Sequence, residues 1–232
     1  MTAAILFDSA DEDTRVNHPA INGREVYLYA LETFYAHDDI DCVIYACQSQ
    51  DTSAYPTMQL LGQDGKNDMD KPLVIACGIR YIPQLWLHIL QKAEEKPEMY
   101  VFHDVRFPLV TGRMVTEVVE KAKEHGMAMF TGDVEGDIYQ VRGRKAGNGY
   151  GSGLEPLRQL KYLRFPAAVR ADSPALHCLD MPGRILEDLS CHEPYLCQGA
   201  EDSIPVYSAG DIKAAEAALS LRRDGVDITD SL

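Results

Sequence analysis

The chain has 232 residues, 46% hydrophobic and 25% charged, proportions of a folded globular protein that exclude a disordered or membrane-spanning composition. A formal charge of −14 at pH 7 and a pI near 4.8 make nucleic acid a poor partner, because the protein's own field repels phosphate polymers. The length suits one sizeable α/β core, so a single domain over 1–232 is expected.

The opening residues show no basic leader and only a short apolar run, so a cytoplasmic protein without a membrane partner is expected. Hydrophobic periodicity alternates strand with helix, which predicts an α/β fold with a mostly parallel sheet and helices on both faces. A strand is expected over 3–7, and the loop after it, "DSADEDTR", carries Asp8, Asp11, Glu12 and Asp13 where a phosphate-cradling loop would offer glycines and a lysine. A helix follows from about Glu25 to Ala36, with Tyr27, Leu31, Phe34 and Tyr35 at helical spacing. The next strand, 41–47, puts Cys42 and Cys47 on opposite faces, as core residues rather than a disulfide pair. After a polar, turn-rich segment, "PLVIAC" reads as buried, and Pro83 lies near the first turn of a helix running to about Lys96.

"MYVFH" reads as a central strand. Thr111 is placed to cap a helix whose Met114, Val115, Val118 and Ala122 form one apolar stripe, with Gly126 closing it. After the strand "MAMFT" the pattern weakens through Gly143, Gly147, Gly149, Gly151 and Gly153, so 138–160 reads as a mobile loop or an extended arm. "YLRFPAAV", "PYLCQ" and "IPVYS" are strand-like. Ser208 and Asp211 form a capping box for a last helix with Ile212, Ala215 and Leu219 on one face, and the acidic tail 224–232 is expected to fray.

The stretch "YVFHDVRFPLVTGRMVTEVVEKAKEHG" resembles a segment of the methylerythritol-phosphate cytidylyltransferases, in which a strand ends in His-Asp, followed closely by Arg and Pro and then a capped helix. "NGREVYLYALETF", "ACGIR" and "IPVYSAGDIKAAEAAL" resemble further segments of that family in the same order, so the likeness runs nearly end to end. It implies a three-layer, Rossmann-like nucleotide-diphospho-sugar transferase fold, and CMP transfer from CTP to a sugar or polyol phosphate with release of pyrophosphate and help from Mg²⁺. On this resemblance Asp104 matches the aspartate that serves the metal and the ribose. Arg80 matches the arginine of a Gly-Gly-x-x-Arg segment, and Arg106 lies one residue out of step with another arginine. Asp8, Ser9 and Ala10 fall where the family has the Ala-Ala-Gly that opens its nucleotide loop. The arm near 138–160 would interlock two subunits, in a homodimer or a heterodimer with a paralogue.

The departures from the family pattern concern charge. The loop has carboxylates for glycines, Ala20 follows Pro19 where the family has a lysine, and Pro205 takes the place of a second lysine in the closing strand. Loss of one such electrostatic stabiliser typically costs on the order of 10² to 10³ in rate. The function expected first is therefore a degenerate or repurposed homologue without efficient CTP-dependent transfer. The alternatives are an active nucleotidyltransferase acting on a nucleotide and a sugar phosphate, with Arg15, Arg80 and Arg106 replacing the lysines, or a partner subunit of an active paralogue. The acidic loop either binds a cation or cationic ligand, or binds nothing. His103 is read as structural, Trp86 as packing, and His177, Cys178, Cys191, His192 and Cys197 lack the Cys-x-x-Cys spacing of a zinc site. Arg142, Arg144 and Lys145 lie in a glycine-rich stretch with no clear helix after it, a weak phosphate motif.

Overall fold

The computed structural model describes residues 1–8, 19–47, 72–86, 96–133, 138–141, 154–157, 161–181, 184–199 and 203–223. The acidic stretch from Ser9 onwards, with Ala10 and Arg15, lies outside them, as do the polar segment 48–71, residues 142–153 and the tail 224–232.

Strand β1, Thr2–Phe7, is buried along its whole length, and so is β6, Met99–Asp104. Such runs cannot sit on a sheet with one wet face, since every second side chain would then be exposed, and they force layers on both sides. Among the described residues β1 and β6 join β4 (Cys42–Cys47), β5 (Leu73–Cys77), β7 (Met127–Asp133), β10 (Lys161–Arg170) and β11 (Tyr195–Cys197) in a seven-stranded sheet of order β11-β7-β10-β6-β1-β4-β5. β1 pairs in parallel with both β4 and β6, β4 with β5, and β7 with β11; β10 alone runs antiparallel, between β6 and β7. "MYVFH" is thus the central strand that its continuous apolar run predicts.

One face of the sheet is covered by α1 (Val26–Tyr35) and α2 (Gly112–His125), which lay Tyr27, Leu31, Phe34, Met114, Val115, Val118 and Ala122 on Leu6, Tyr45 and Val101. The other face is covered by residues 79–86, the 3-10 turn Pro174–Cys178 and the short helix α3 (Ile185–Ser190). Trp86, partly buried, packs there against Tyr100 and Phe102, with ring centroids 4.7 and 6.0 Å away. The layers are therefore helix, sheet, helix.

Helix α2 shows why the sequence could be read at this point. The Thr111 hydroxyl accepts from the Met114 amide at 3.3 Å, and Gly126 ends the helix in the left-handed region (φ 86°) with its amide donating to Ala122. Helix α4 (Ala209–Arg223) begins with the expected box: the Asp211 carboxylate accepts from the Ser208 amide at 2.7 Å and from its hydroxyl at 2.8 Å. α4 places Ala215 and Ala218 on Ile21, Leu109 and Val206, a separate small core that pins the chain leading into the helix.

Three features depart from the sequence reading or extend it. The expected strand "IPVYS", residues 204–208, is not a strand; Pro205 has no amide to donate to a ladder, and this segment makes its backbone bond through Val206 instead. "NG" before α1 is a hairpin turn: β2 (Ala20–Ile21) pairs with β3 (Arg24–Glu25) around Asn22 and Gly23, both with positive φ (51° and 77°), as a two-residue type I′ turn requires. The region read as loop or arm contains β8 (Ile138–Val141) and β9 (Leu154–Leu157), which pair antiparallel as a two-stranded sheet of their own.

Candidate functional site at the carboxyl edge of the sheet

Open α/β sheets take ligands in the crevice beyond the carboxyl ends of their strands. Here β1 and β6 end level with each other, Phe7 opposite Asp104, and the ladder continues one step with the Val105 amide donating to the Phe7 carbonyl at 2.8 Å. Asp8 is the first residue past β1. Asp104 then starts a turn: its side chain accepts from the Arg106 amide at 2.9 Å and its carbonyl from the Phe107 amide at 3.0 Å. Aspartate suits the first position of such a turn because its short carboxylate reaches the amide two residues on.

That turn aims the Arg106 side chain back at β1. Nε donates to Asp8 Oδ1 at 2.8 Å and Nη2 to Asp8 Oδ2 at 3.2 Å, a two-pronged pair, while Nη1 reaches the Val206 carbonyl at 3.4 Å. The Val206 amide in turn donates to the Arg106 carbonyl at 2.8 Å. One residue therefore ties the ends of β1 and β6 to the segment entering α4. The pair is enclosed, with the Arg106 side chain 4% exposed and that of Asp8 13%. Burial works against the guanidinium's charge, but the Asp8 carboxylate, with Asp104 and Tyr45 nearby, outweighs it and holds the Arg106 pKa above its ordinary value.

His103, one residue before Asp104, is fully buried against Phe34 and Phe165. Its Nε2 lies 3.1 Å from the Phe107 carbonyl, which can only accept, so Nε2 carries the proton. Burial pushes its pKa down to about 3 despite that bond, so the ring is neutral at pH 7. Its role is to brace the Asp104–Phe107 turn.

Of the residues singled out from sequence, Asp8, Asp104 and Arg106 come together. Arg80 does not join them. It lies exposed on the turn after β5, its amide donating to Gln84 Oε1 at 3.4 Å, and β5 is two strand spacings, about 10 Å, from β1. Ser9, Ala10 and Arg15 lie outside the described residues. What the sequence reading missed is the pairing itself. It groups Asp8 with the acidic loop and sets Arg106 among the arginines that would replace the missing lysines; the signal is an acid at the end of one central strand and an arginine just past its neighbour.

A Mg²⁺ ion, implied by the family resemblance, does not fit the residues as arranged. Both Asp8 oxygens are held by Arg106, and Asp104 is 1% exposed with one oxygen on the Arg106 amide and a guanidinium beside it. Mg²⁺ needs carboxylate oxygens that face water or phosphate in octahedral geometry. Among the described residues no three His, Cys, Asp or Glu side chains gather as a cation site would require. Cys197, one of the thiols considered above, is core: burial foremost, then the Glu117 carboxylate, pushes its pKa up to about 12.

No protein-family model matches the chain, and no curated protein sequence matches it. Solved structures do. A 4-diphosphocytidyl-2C-methyl-D-erythritol synthase from Anaerococcus prevotii superposes with a TM-score of 0.69 at 13% identity, over 94% of this chain and 96% of that one. A 2-C-methyl-D-erythritol 4-phosphate cytidylyltransferase from Francisella tularensis gives 0.64 at 14% identity, over 94% and 99%, and one from Thermus thermophilus 0.59 at 16%, over 95% and 100%. At such identities the likeness speaks for architecture, and it covers both chains almost completely: this protein has the Rossmann-like fold of those cytidylyltransferase structures, built on a mostly parallel sheet.

Proposed function

We propose that the chain is a divergent protein of the cytidylyltransferase type, repurposed or degenerate, that does not carry out efficient CTP-dependent transfer. One observation carries this reading: the carboxylate of Asp8 forks the guanidinium of Arg106 at the end of β1, where the resembled family opens its phosphate-cradling loop. A phosphate approaching there meets two carboxylates and a guanidinium whose prongs on that side are already engaged. The sequence adds support, since Ala20 and Pro205 stand in place of two lysines. Each such loss typically costs on the order of 10² to 10³ in rate, and the losses need not add.

Titration calorimetry of the full chain with CTP and Mg²⁺, beside a pyrophosphate-release assay with sugar and polyol phosphates, tests the reading. It expects no micromolar binding and no pyrophosphate above the buffer control. Micromolar binding together with release would refute it.

A partner-subunit role has one observation in its favour. Among the described residues β8 and β9 pair only with each other, and a lone two-stranded sheet is marginal in water unless something packs on it. Size-exclusion with light scattering expects a dimer; a strict monomer at high micromolar concentration would remove the argument.

A further inference from the structure

Arg106 has four contacts that fix it: its amide on Asp104, its carbonyl under the Val206 amide, Nη1 on the Val206 carbonyl, and the two-pronged bond to Asp8. Only the last sets a charged group on the guanidinium's own fork. That geometry, two parallel N–H donors meeting two oxygens, is the one by which arginine takes a free phosphate or carboxylate. The carboxylate is the more exposed partner, 13% against 4%, so it stands on the solvent side of the fork. It also stands at the carboxyl edge of the two central strands, where a sheet of this topology takes its ligands.

We propose that Asp8 acts as a tethered internal anion, filling an oxyanion-binding site whose base is the Arg106 guanidinium, so that removing the Asp8 charge opens this site to a free phosphate or carboxylate. The inference deepens the functional reading above and rests on the same fork. It differs from a purely structural ion pair in what it requires: once the Asp8 carboxylate is removed, a free anion must be able to take its place on the fork. Aspartate wins in the native chain because it is held at the site covalently, whereas a free anion gives up translational freedom to bind there.

The test uses the full chain and no nucleotide, so it fails or succeeds independently of the CTP experiment. Wild type, Asp8→Ala and the double variant Asp8→Ala with Arg106→Lys are titrated with pyrophosphate and with malonate at matched ionic strength. Asp8→Ala is expected to bind at least one of them about ten-fold or more tightly than wild type. The double variant is expected to lose that gain, since lysine offers a point charge rather than a fork. A gain with pyrophosphate alone assigns the site to phosphate, and a gain with malonate alone to carboxylate. Should Asp8→Ala be poorly folded by itself, the same anions are expected to raise its melting midpoint where chloride at equal ionic strength does not. The proposal is overturned if folded Asp8→Ala binds neither anion better than wild type, if the gain survives in the double variant, or if a poorly folded Asp8→Ala is rescued by neither anion.

Discussion

Arg106 and Arg80 each follow a strand of the same sheet by two or three residues at its carboxyl edge, yet the structure uses them in opposite ways. Arg106 leaves the central strand β6, is flanked by β1 and covered by the segment entering α4, and is 3% exposed. Arg80 leaves β5, the last strand of the sheet among the described residues, and is exposed. The residue type is the same; the place in strand order decides whether the charge must be matched inside the protein or can be left to water. A buried guanidinium without an anion is costly, so the fold that encloses Arg106 also demands something like Asp8.

Truncating the enclosed arginine should have the largest effect. Arg106→Ala should destabilise by roughly 3 to 5 kcal/mol, because it leaves the enclosed Asp8 carboxylate and the Val206 carbonyl without the guanidinium. Urea midpoints at constant m-value check this. Next comes Asp104→Ala, which strips the acceptor from the Arg106 amide and should cost roughly 1 to 3 kcal/mol, whereas Asp104→Asn keeps an oxygen in place and should lose less.

His103 gives the enclosed edge a pH signature. Its folded pKa lies near 3 and an unfolded histidine titrates near 6.5, so between those values the unfolded chain takes up a proton that the folded chain refuses. Stability is then complete above about pH 6.5 and falls as the pH is lowered, by about 2 kcal/mol between pH 7 and 5 from this group. His103→Phe should flatten that part of the profile. An unchanged slope would show that the ring is not the group responsible. The smallest effect is expected at the other arginine: Arg80→Ala should change the unfolding free energy, read from the urea midpoint at constant m-value, by no more than about 0.5 kcal/mol, the usual range for an exposed site.

These contrasts also mark what could be read from the sequence. Thr111, the stripe from Met114 to Ala122 and Gly126 announce α2 because cap, periodicity and stop are all local, and Ser208 with Asp211 announces α4 for the same reason. The continuous apolar run of "MYVFH" gave its central place, because burial on both faces leaves no polar alternation. The Asn22–Gly23 hairpin is equally local, an Asn-Gly pair at the two positions that need positive φ. The fork was beyond local reading: Asp8 and Arg106 are 98 residues apart, and their meeting depends on β1 and β6 pairing in a register that sets Phe7 opposite Asp104. The same distance hides the Val206 contacts, 100 residues from Arg106, which replace the strand expected at 204–208.

A crystal of the chain soaked with CTP and Mg²⁺ bears most directly on the account. Arg106 is expected still to be forked by Asp8, at 2.8 and 3.2 Å, with no nucleotide density beyond β1 and β6. A triphosphate lying on the Arg106 guanidinium, with Asp8 turned aside and a metal on Asp104, would contradict it.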